Sequence, residues 1–192
     1  MFLDALVNFG ASTGTPFSLI LAAGLWPLPG VVDIFGNGVG VAPTSIYGRT
    51  SNTGPGGDMG IPETRPELFI QIGTAAVTAT GAQLNVALQA APDPGAAGNY
   101  TPAASAWQTL GESGYMTAAQ LTAGRVVFRS PWLPNFPAGL NPRFFRLAAI
   151  VGTLAAGDTA AVSFTAGNIN WAGVTQGRDD YAIAYTPKNY AV

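Results

Sequence analysis

The sequence predicts an all-β protein, an antiparallel β-sandwich or jelly roll with extended N- and C-terminal arms. Three observations lead to this fold class. Several runs alternate apolar residues with polar or small ones, which is the period of a strand with one buried face. Turn residues separate these runs, since the 192 residues include 25 glycines and 15 prolines. The long apolar periodicity of an extended helix is missing from the sequence.

The chain opens with the apolar segment MFLDALVNF. Its residues Phe2, Leu3, Leu6 and Phe9 fit one face of a helix, which predicts one or two helical turns. Such a short helix is only marginally stable alone. We therefore expect it to dock on the chain's own core or on a neighbouring subunit.

An apolar run from Pro16 to Val32 follows. No basic residue precedes it, which argues against a signal sequence. It is also too short to span a bilayer, and Pro27 and Pro29 interrupt it. We interpret it as a packed arm or an edge segment, and we assign residues 1–30 to an N-terminal arm.

The sandwich domain is predicted over residues 31–166. Its first strand is VVDIF, Val31–Phe35, and a long loop rich in Gly and Pro occupies residues 47–66. Two alternating runs come next and are interpreted as two strands of a hairpin joined by a small-residue turn. The second run has a face that is polar but uncharged. The apolar positions of the two runs are Leu68, Ile70, Ile72, Leu84, Val86 and Leu88.

The second half of the domain contains a short strand near Ala106–Leu110 and then one helical turn, capped by Thr117 and ended by Gly124. A strand at Arg125–Ser130 should place Val126 and Phe128 on one face. Two more core strands follow. Their inward positions are predicted to be Phe145, Leu147, Ala149, Val151, Ala160, Val162 and Phe164.

The alternation weakens after Gly167, and the remaining sequence is aromatic and loop-like. We interpret residues 167–192 as a C-terminal arm, in which Tyr181, Ile183 and Tyr185 form an added strand. The alternative interpretation is a last edge strand of the same sheet.

Composition excludes most kinds of chemistry. The chain has no histidine and no cysteine, so Ser-His and Cys-His triads and cysteine-ligated metals are impossible. Its single lysine is Lys188, and a phosphate-binding loop motif is missing. Carboxylate pairs such as Asp58 with Glu63 are the remaining candidates for a small hydrolase. We expect no enzyme activity, no cofactor and no metal.

Charge is scarce, at 9% of residues with a net charge of −2, which argues against nucleic-acid binding. So little charge predicts that partners cover much of the surface, and the alternative is a monomer with an unusually Ala/Gly/Thr-rich surface. The strand arginines Arg125, Arg129, Arg143 and Arg146 are expected at a rim or an interface, or else simply in solvent.

Some segments of the sequence occur in an order that is known from one family. These segments are the opening MFLD, the VDI strand, LFIQIGTAAVTATGAQLNVALQAAPD, LTAGRVVF and RFFRLAAIVGTLAAGDTAAVSF. Together they resemble the capsid cement, or decoration, proteins of short-tailed tailed bacteriophages. The resemblance covers residues 1–4 and 31–166. The chain departs from the family's compact pattern at residues 11–30, 47–66 and 167–192.

This resemblance implies a jelly-roll protein that does no chemistry. It would bind the outer surface of a shell built from major capsid proteins of the HK97 fold. It would therefore be located on the virion, which is assembled in the bacterial cytoplasm. There it would clamp neighbouring capsid subunits against the pressure of packaged DNA. The resemblance implies a homodimer, with a homotrimer as the alternative. It implies no interaction with a membrane. The residues expected to contact the capsid or another subunit are Phe2, Leu3, Leu6, Phe9, Arg49, Arg65, Trp171, Tyr181, Tyr185 and Tyr190.

A second function is a carbohydrate- or receptor-binding module on the virion surface. Jelly-roll proteins often bind sugars, and an exposed indole can stack on a sugar ring. The candidate residues for such stacking are Trp26, Trp107, Trp132 and Trp171.

Overall fold

The computed structural model describes residues 2–9, 16–33, 67–92, 94, 102–131, 139–140, 142–152 and 162–176. These residues form two antiparallel β-sheets that pack face to face as a β-sandwich, so the predicted all-β class is confirmed. The strands are β1 Phe2–Asn8, β2 Phe17–Ser18, β3 Leu21–Ala22, β4 Gly24–Asp33, β5 Glu67–Thr78, β6 Gln83–Pro92, β7 Gln108–Glu112, β8 Met116–Thr117, β9 Val126–Pro131, β10 Pro142–Gly152 and β11 Ser163–Gln176.

The strand order is that of a jelly roll. One sheet has the order β1-β11-β5-β9, and the other has the order β4-β10-β6-β7. The eight long strands therefore pair first with last, second with seventh, third with sixth and fourth with fifth, as if one long hairpin were rolled into a sandwich. The two-residue strands β2 and β3 also pair with β11, and β8 pairs with β6.

The core lies between the two sheets and follows the predicted alternation. Leu147 is fully buried on the inner face of β10 and lies opposite Leu88 of β6. The other predicted inward positions that the structure describes are also buried in this core. They are Leu68, Ile70, Ile72, Leu84, Val86, Leu88, Phe145, Ala149, Val151, Val162 and Phe164. Ala160 lies outside the described residues.

The predicted N-terminal helix is wrong, because Phe2–Asn8 is strand β1. It pairs with the end of β11 through Phe2, Leu3 and Asn8, and this tertiary pairing replaces an isolated short helix that would be only marginally stable. Phe9 follows the strand and is fully buried in the core. Its amide donates to Ala172 of one sheet, and its carbonyl accepts from Gly30 of the other. Phe9 thus ties the two sheets together.

The apolar run that starts at Pro16 contains β2, β3 and most of β4. Strand β4 lies at the edge of its sheet, as one of the two interpretations of this run stated. Pro27 and Pro29 are tolerated there because an edge strand has one side without ladder hydrogen bonds. The predicted boundary after residue 30 falls inside this strand, so residues 16–30 belong to the sandwich and do not form an arm. Ile34 and Phe35, the end of the predicted first strand, lie outside the described residues.

The predicted hairpin of β5 and β6 is also wrong. The two strands belong to different sheets, and the turn after Thr78 carries the chain from one to the other. Thr78 organises this crossing. Its hydroxyl donates to the Ser163 carbonyl at 2.6 Å and accepts from the amides of Thr80 and Ala82, each at 3.2 Å. Two alternating runs joined by a short turn give the same sequence pattern in two cases. The strands can be hydrogen-bonded as a hairpin, or they can lie in opposite sheets of a sandwich.

The helical turn predicted near Thr117 is present as a 3₁₀ turn at Ala118–Gln120. The Gln120 side chain accepts from the Thr117 amide at 2.9 Å. Gly124 then has a φ of 79°, which suits a glycine at the end of the turn. The faces predicted for β9 are wrong, because a bulge places an extra residue, Val127, between the partners of Ile70 and Gln71. Val126 is consequently exposed.

The predicted C-terminal arm begins in the middle of β11, which continues to Gln176. This strand pairs with β5 on one side and with β1, β2 and β3 on the other. Register shifts recur between Phe164 and Trp171, and the inward parity of β11 changes twice, from Phe164 to Ile169 and again to Ala172. The alternation therefore fades in the sequence while the strand persists. The long loop at 47–66 and residues 177–192 lie outside the described residues.

Candidate partner-binding surface

The outer face of the five-stranded sheet is mostly buried within the chain. Every residue of β6 from Leu84 to Ala91 is buried, so this strand is covered on both faces. On β10, Phe144 and Ala148 point away from the core and are fully buried as well. The polar, uncharged face predicted for β6 is therefore not an exposed surface.

The polar groups on this face are hydrogen-bonded to one another. Asn85 donates to Glu112 at 2.7 Å and accepts from the Ser113 hydroxyl at 3.2 Å. The same hydroxyl accepts from the Val86 amide at 2.9 Å. Buried polar groups need such partners to offset their lost hydration. This cluster fixes the exit of β7 against β6 and has the character of a structural network.

The outer face of the six-stranded sheet is different, because it is exposed and carries no charge at one end. Ile20 is 70% exposed and Val77 is 53% exposed, both large fractions for aliphatic side chains. Thr165 lies beside them on the central strand β11. We call this end of the sheet the neutral face. It comprises the exposed residues Ile20, Ala22, Ala75, Val77, Thr165 and Ala166.

Strand pairing makes the neutral face continuous. Ala22 of β3 pairs with Ser163 of β11, and Ala166 of β11 pairs with Val77 of β5. Side chains on one face of paired strands lie about 5 Å apart. Residues 68–92 and 162–176 contain no Asp, Glu, Lys or Arg, and neither do residues 9–32. The parts of β3, β5 and β11 that form the neutral face therefore contain no charged residue.

Side-chain hydrogen bonds hold the neutral face rigid. Asn168 bridges to β5 by accepting from the Thr74 amide at 2.8 Å and donating to the Thr74 hydroxyl at 2.9 Å. The Thr165 hydroxyl donates to the Val77 carbonyl at 3.1 Å. Polar groups that are already paired within the chain lose little hydration when a partner covers them. The face is thus prepared for close packing against another surface.

Charge appears at the opposite end of the same sheet. Glu67 begins β5 and forms an ion pair with Arg129 of β9, with the Arg129 Nε atom 2.6 Å from the carboxylate. Both side chains are exposed, at 38% and 56%, so the pair contributes at most about 1 kcal/mol to stability. The sheet therefore has one charged end and one neutral end.

The predicted contact residues do not form one site. The backbones of Phe2, Leu3 and Leu6 lie in β1, and Phe9 is enclosed in the core. Trp171 lies on β11 and is half-buried, and its indole N–H is buried with no hydrogen-bond partner. The remaining five lie outside the described residues. They are Arg49, Arg65, Tyr181, Tyr185 and Tyr190.

Sequence reasoning missed Ile20 and Val77, the two most exposed aliphatic residues of the neutral face. Ile20 had a signal, because Leu19 and Leu21 are both buried and the residue between two inward positions points outward. Val77 had the same kind of signal, because counting in twos from the inward Leu68, Ile70 and Ile72 places residue 77 on the outward face.

The described residues contain no cluster of three or more acidic, histidine or cysteine side chains that could hold a metal ion. Asp58 and Glu63, the candidate pair for a hydrolase, lie outside the described ranges. The part of the chain that is described forms no helix with the length and apolar character that a membrane crossing requires.

Comparison with known proteins assigns no family to this chain. No family model matches the sequence, and no curated protein is similar to it.

Proposed function

We propose that this chain is a structural virion protein that binds the outer surface of a phage capsid and clamps neighbouring major capsid subunits. The single observation that carries the proposal is the neutral face, an exposed and uncharged end of a rigid sheet. The resemblance of the sequence to phage cement proteins supports the same function. The partner in this proposal is a major capsid protein of HK97-like fold, and the chain acts as a homodimer, with a homotrimer as the alternative.

The physics of such a contact suits the neutral face. Burying the apolar surface of Ile20 and Val77 stabilises a complex by about 25 cal/mol per Å². No charge on this face has to be stripped of water, so the desolvation cost of the contact is low. Many symmetry-related copies on one shell would act together, so modest individual contacts add up to strong attachment.

The sandwich is also suited to bearing load. Hydrogen bonds run across paired strands from β1 through β11 and β5 to β9, and a continuous apolar core joins this sheet to the other. A chain folded in this way transmits a force between two contact points with little internal movement. A clamp needs that property more than it needs chemistry.

The test is co-sedimentation of the purified chain with empty shells of the phage that encodes it, with light scattering of the free chain. We expect saturable binding at a fixed copy number per shell. The free mass should be that of a dimer or a trimer. A monomer that does not pellet with shells at any concentration would contradict the proposal.

A glycan-binding function is the second candidate, and it is favoured by one residue. Trp26 is 39% exposed, and its indole N–H donates to the Ala22 carbonyl at 2.9 Å, which holds the ring in a fixed position. Fixed exposed indoles stack on sugar rings. A glycan array with the wild-type chain and with Trp26→Ala tests this function, which predicts binding by the first and loss of binding in the second.

A further inference from the structure

Arg146 lies in the middle of the five-stranded sheet, on its outer face. It is opposite Gln89 of β6, and Gln89 is opposite Thr109 of β7. The Arg146 Nε atom donates to the Gln89 side-chain oxygen at 2.9 Å, and the Gln89 amide donates to the Thr109 hydroxyl at 3.4 Å. Gln89 is only 5% exposed, so this row holds the base of the guanidinium in place from within the protein.

Trp107 fixes the plane of the same guanidinium. The central carbon of the Arg146 guanidinium is 4.1 Å from the centroid of the indole ring, a cation–π contact. Gln89 thus binds one edge of the planar guanidinium, and Trp107 packs against one of its flat faces. Side-chain freedom is restricted before any partner arrives, which lowers the entropy cost of binding to this group.

The positive charge of Arg146 has no carboxylate partner among the described residues. Its two Nη atoms make no hydrogen bond to any side chain or backbone group within the described ranges, in contrast to Arg129, which binds Glu67. Glu112 of strand β7 binds Asn85 instead. Burial lowers the pKa of Arg146 below that of an ordinary arginine, but the group stays a cation at neutral pH. Gln89 and Trp107 contact the guanidinium, but no described carboxylate neutralises its charge.

We propose that Arg146 is an anchor for a carboxylate side chain of a capsid subunit. The two Nη positions of the Arg146 guanidinium, to which no described residue is hydrogen-bonded, match the two oxygens of a carboxylate in a bidentate pair. A single guanidinium among neutral side chains suits one carboxylate better than a phosphate, which usually recruits several cations. The inference rests on the proposed function, because it names the shell as the source of the carboxylate.

This anchor would complete the clamp. The neutral face belongs to the six-stranded sheet, and Arg146 belongs to the outer side of the other sheet. A protein that holds two neighbouring subunits needs two separate contacts. The sandwich would supply an apolar contact on one side and a charged contact on the other.

The experiment compares shell binding by the wild-type chain, Arg146→Gln, Arg146→Lys and the control Arg129→Gln at two salt concentrations, with thermal unfolding of each free protein. We expect Arg146→Gln to bind at least about tenfold more weakly and to lose part of the salt dependence. Arg146→Lys should recover only part of the affinity, since lysine keeps the charge but not the fork. Arg129→Gln should bind like the wild type.

Thermal unfolding separates this function from a purely structural one. Arg146→Gln removes a partly buried charge but also removes the donor to the buried Gln89 oxygen, so the melting temperature of the free variant should change little. A lower melting temperature that accounts for the lost affinity would overturn the inference, and so would wild-type affinity of Arg146→Gln. In both cases the wild type still binds shells and the proposed function stands. If the wild type itself does not bind, the proposed function fails and the inference fails with it.

Discussion

Replacing Leu147 with alanine should lower the free energy of unfolding by about 2–5 kcal/mol. Leu147 is fully buried at the centre of β10, which pairs with β4 on one side and β6 on the other. Neighbouring strands cannot move in to fill the space without breaking their own hydrogen bonds. The substitution therefore removes apolar contacts and leaves a cavity. Urea denaturation followed by intrinsic fluorescence measures this loss.

The matched control for this prediction is Leu25→Ala. Leu25 lies on the edge strand β4 and is 47% exposed. Its truncation should change stability by no more than about 0.5 kcal/mol. Equal effects of the two substitutions would mean that β10 does not present Leu147 to the core.

Replacing Gly167 with alanine should cost about 2–4 kcal/mol, for two reasons that add. Gly167 has a φ of 122°, which side-chain-bearing residues rarely adopt. A Cβ atom at this position would also lie 2.7 Å from the Ala76 Cα atom, and backbone cannot move aside cheaply. The pairing of β11 with β5 should loosen, and thermal unfolding should report a lower midpoint.

Gly111→Ala is the control for the conformational part of this prediction. Gly111 lies in β7 and has open space where a Cβ atom would be placed, and its φ is not in the positive range. Alanine there should be neutral or stabilising by less than about 1 kcal/mol. A wild-type melting temperature for Gly167→Ala would contradict the backbone geometry at the β11 bulge.

The core could be predicted from the sequence because burial on a regular strand repeats every two residues. Phe145, Leu147, Ala149 and Val151 are all in the core, as the alternation of β10 predicts. This signal requires only that the strand keeps its register. It says nothing about which strand is the neighbour, so two consecutive strands in different sheets produce the same pattern as a hairpin.

The predictions fail where a register shift breaks the period of two. Bulges in β11 make the apolar pattern of this central strand irregular, so the sequence does not predict the whole strand. The bulge in β9 places Val126 in an exposed position. Each bulge depends on the opposite strand, so the residues of one strand alone do not reveal it. The same limit applies to β6, because its second covered face depends on contacts made by distant parts of the chain.

The candidate surface could be predicted only in its chemistry. The scarcity of charge in the sequence indicates an uncharged contact surface, and the residues of the neutral face carry none. The location of that surface depends on which sheet is left uncovered, and composition does not contain that information. The arginines show the same division. Their number is plain in the sequence, but only the fold shows that Arg129 has an acidic partner and that Arg146 is held by neutral ones.

The most direct test of the proposed function is a comparison of shell binding by Val77→Asp and Val126→Asp. Both residues are exposed valines of the six-stranded sheet, but Val77 lies in the neutral face and Val126 lies on the edge strand near Arg125 and Arg129. Because both side chains are exposed, neither substitution should destabilise the fold by more than about 0.5 kcal/mol. We predict that Val77→Asp weakens co-sedimentation with empty shells at least about tenfold, since a charge would be buried without a partner. Val126→Asp should bind like the wild type, and wild-type binding by Val77→Asp would contradict the neutral face as the capsid contact.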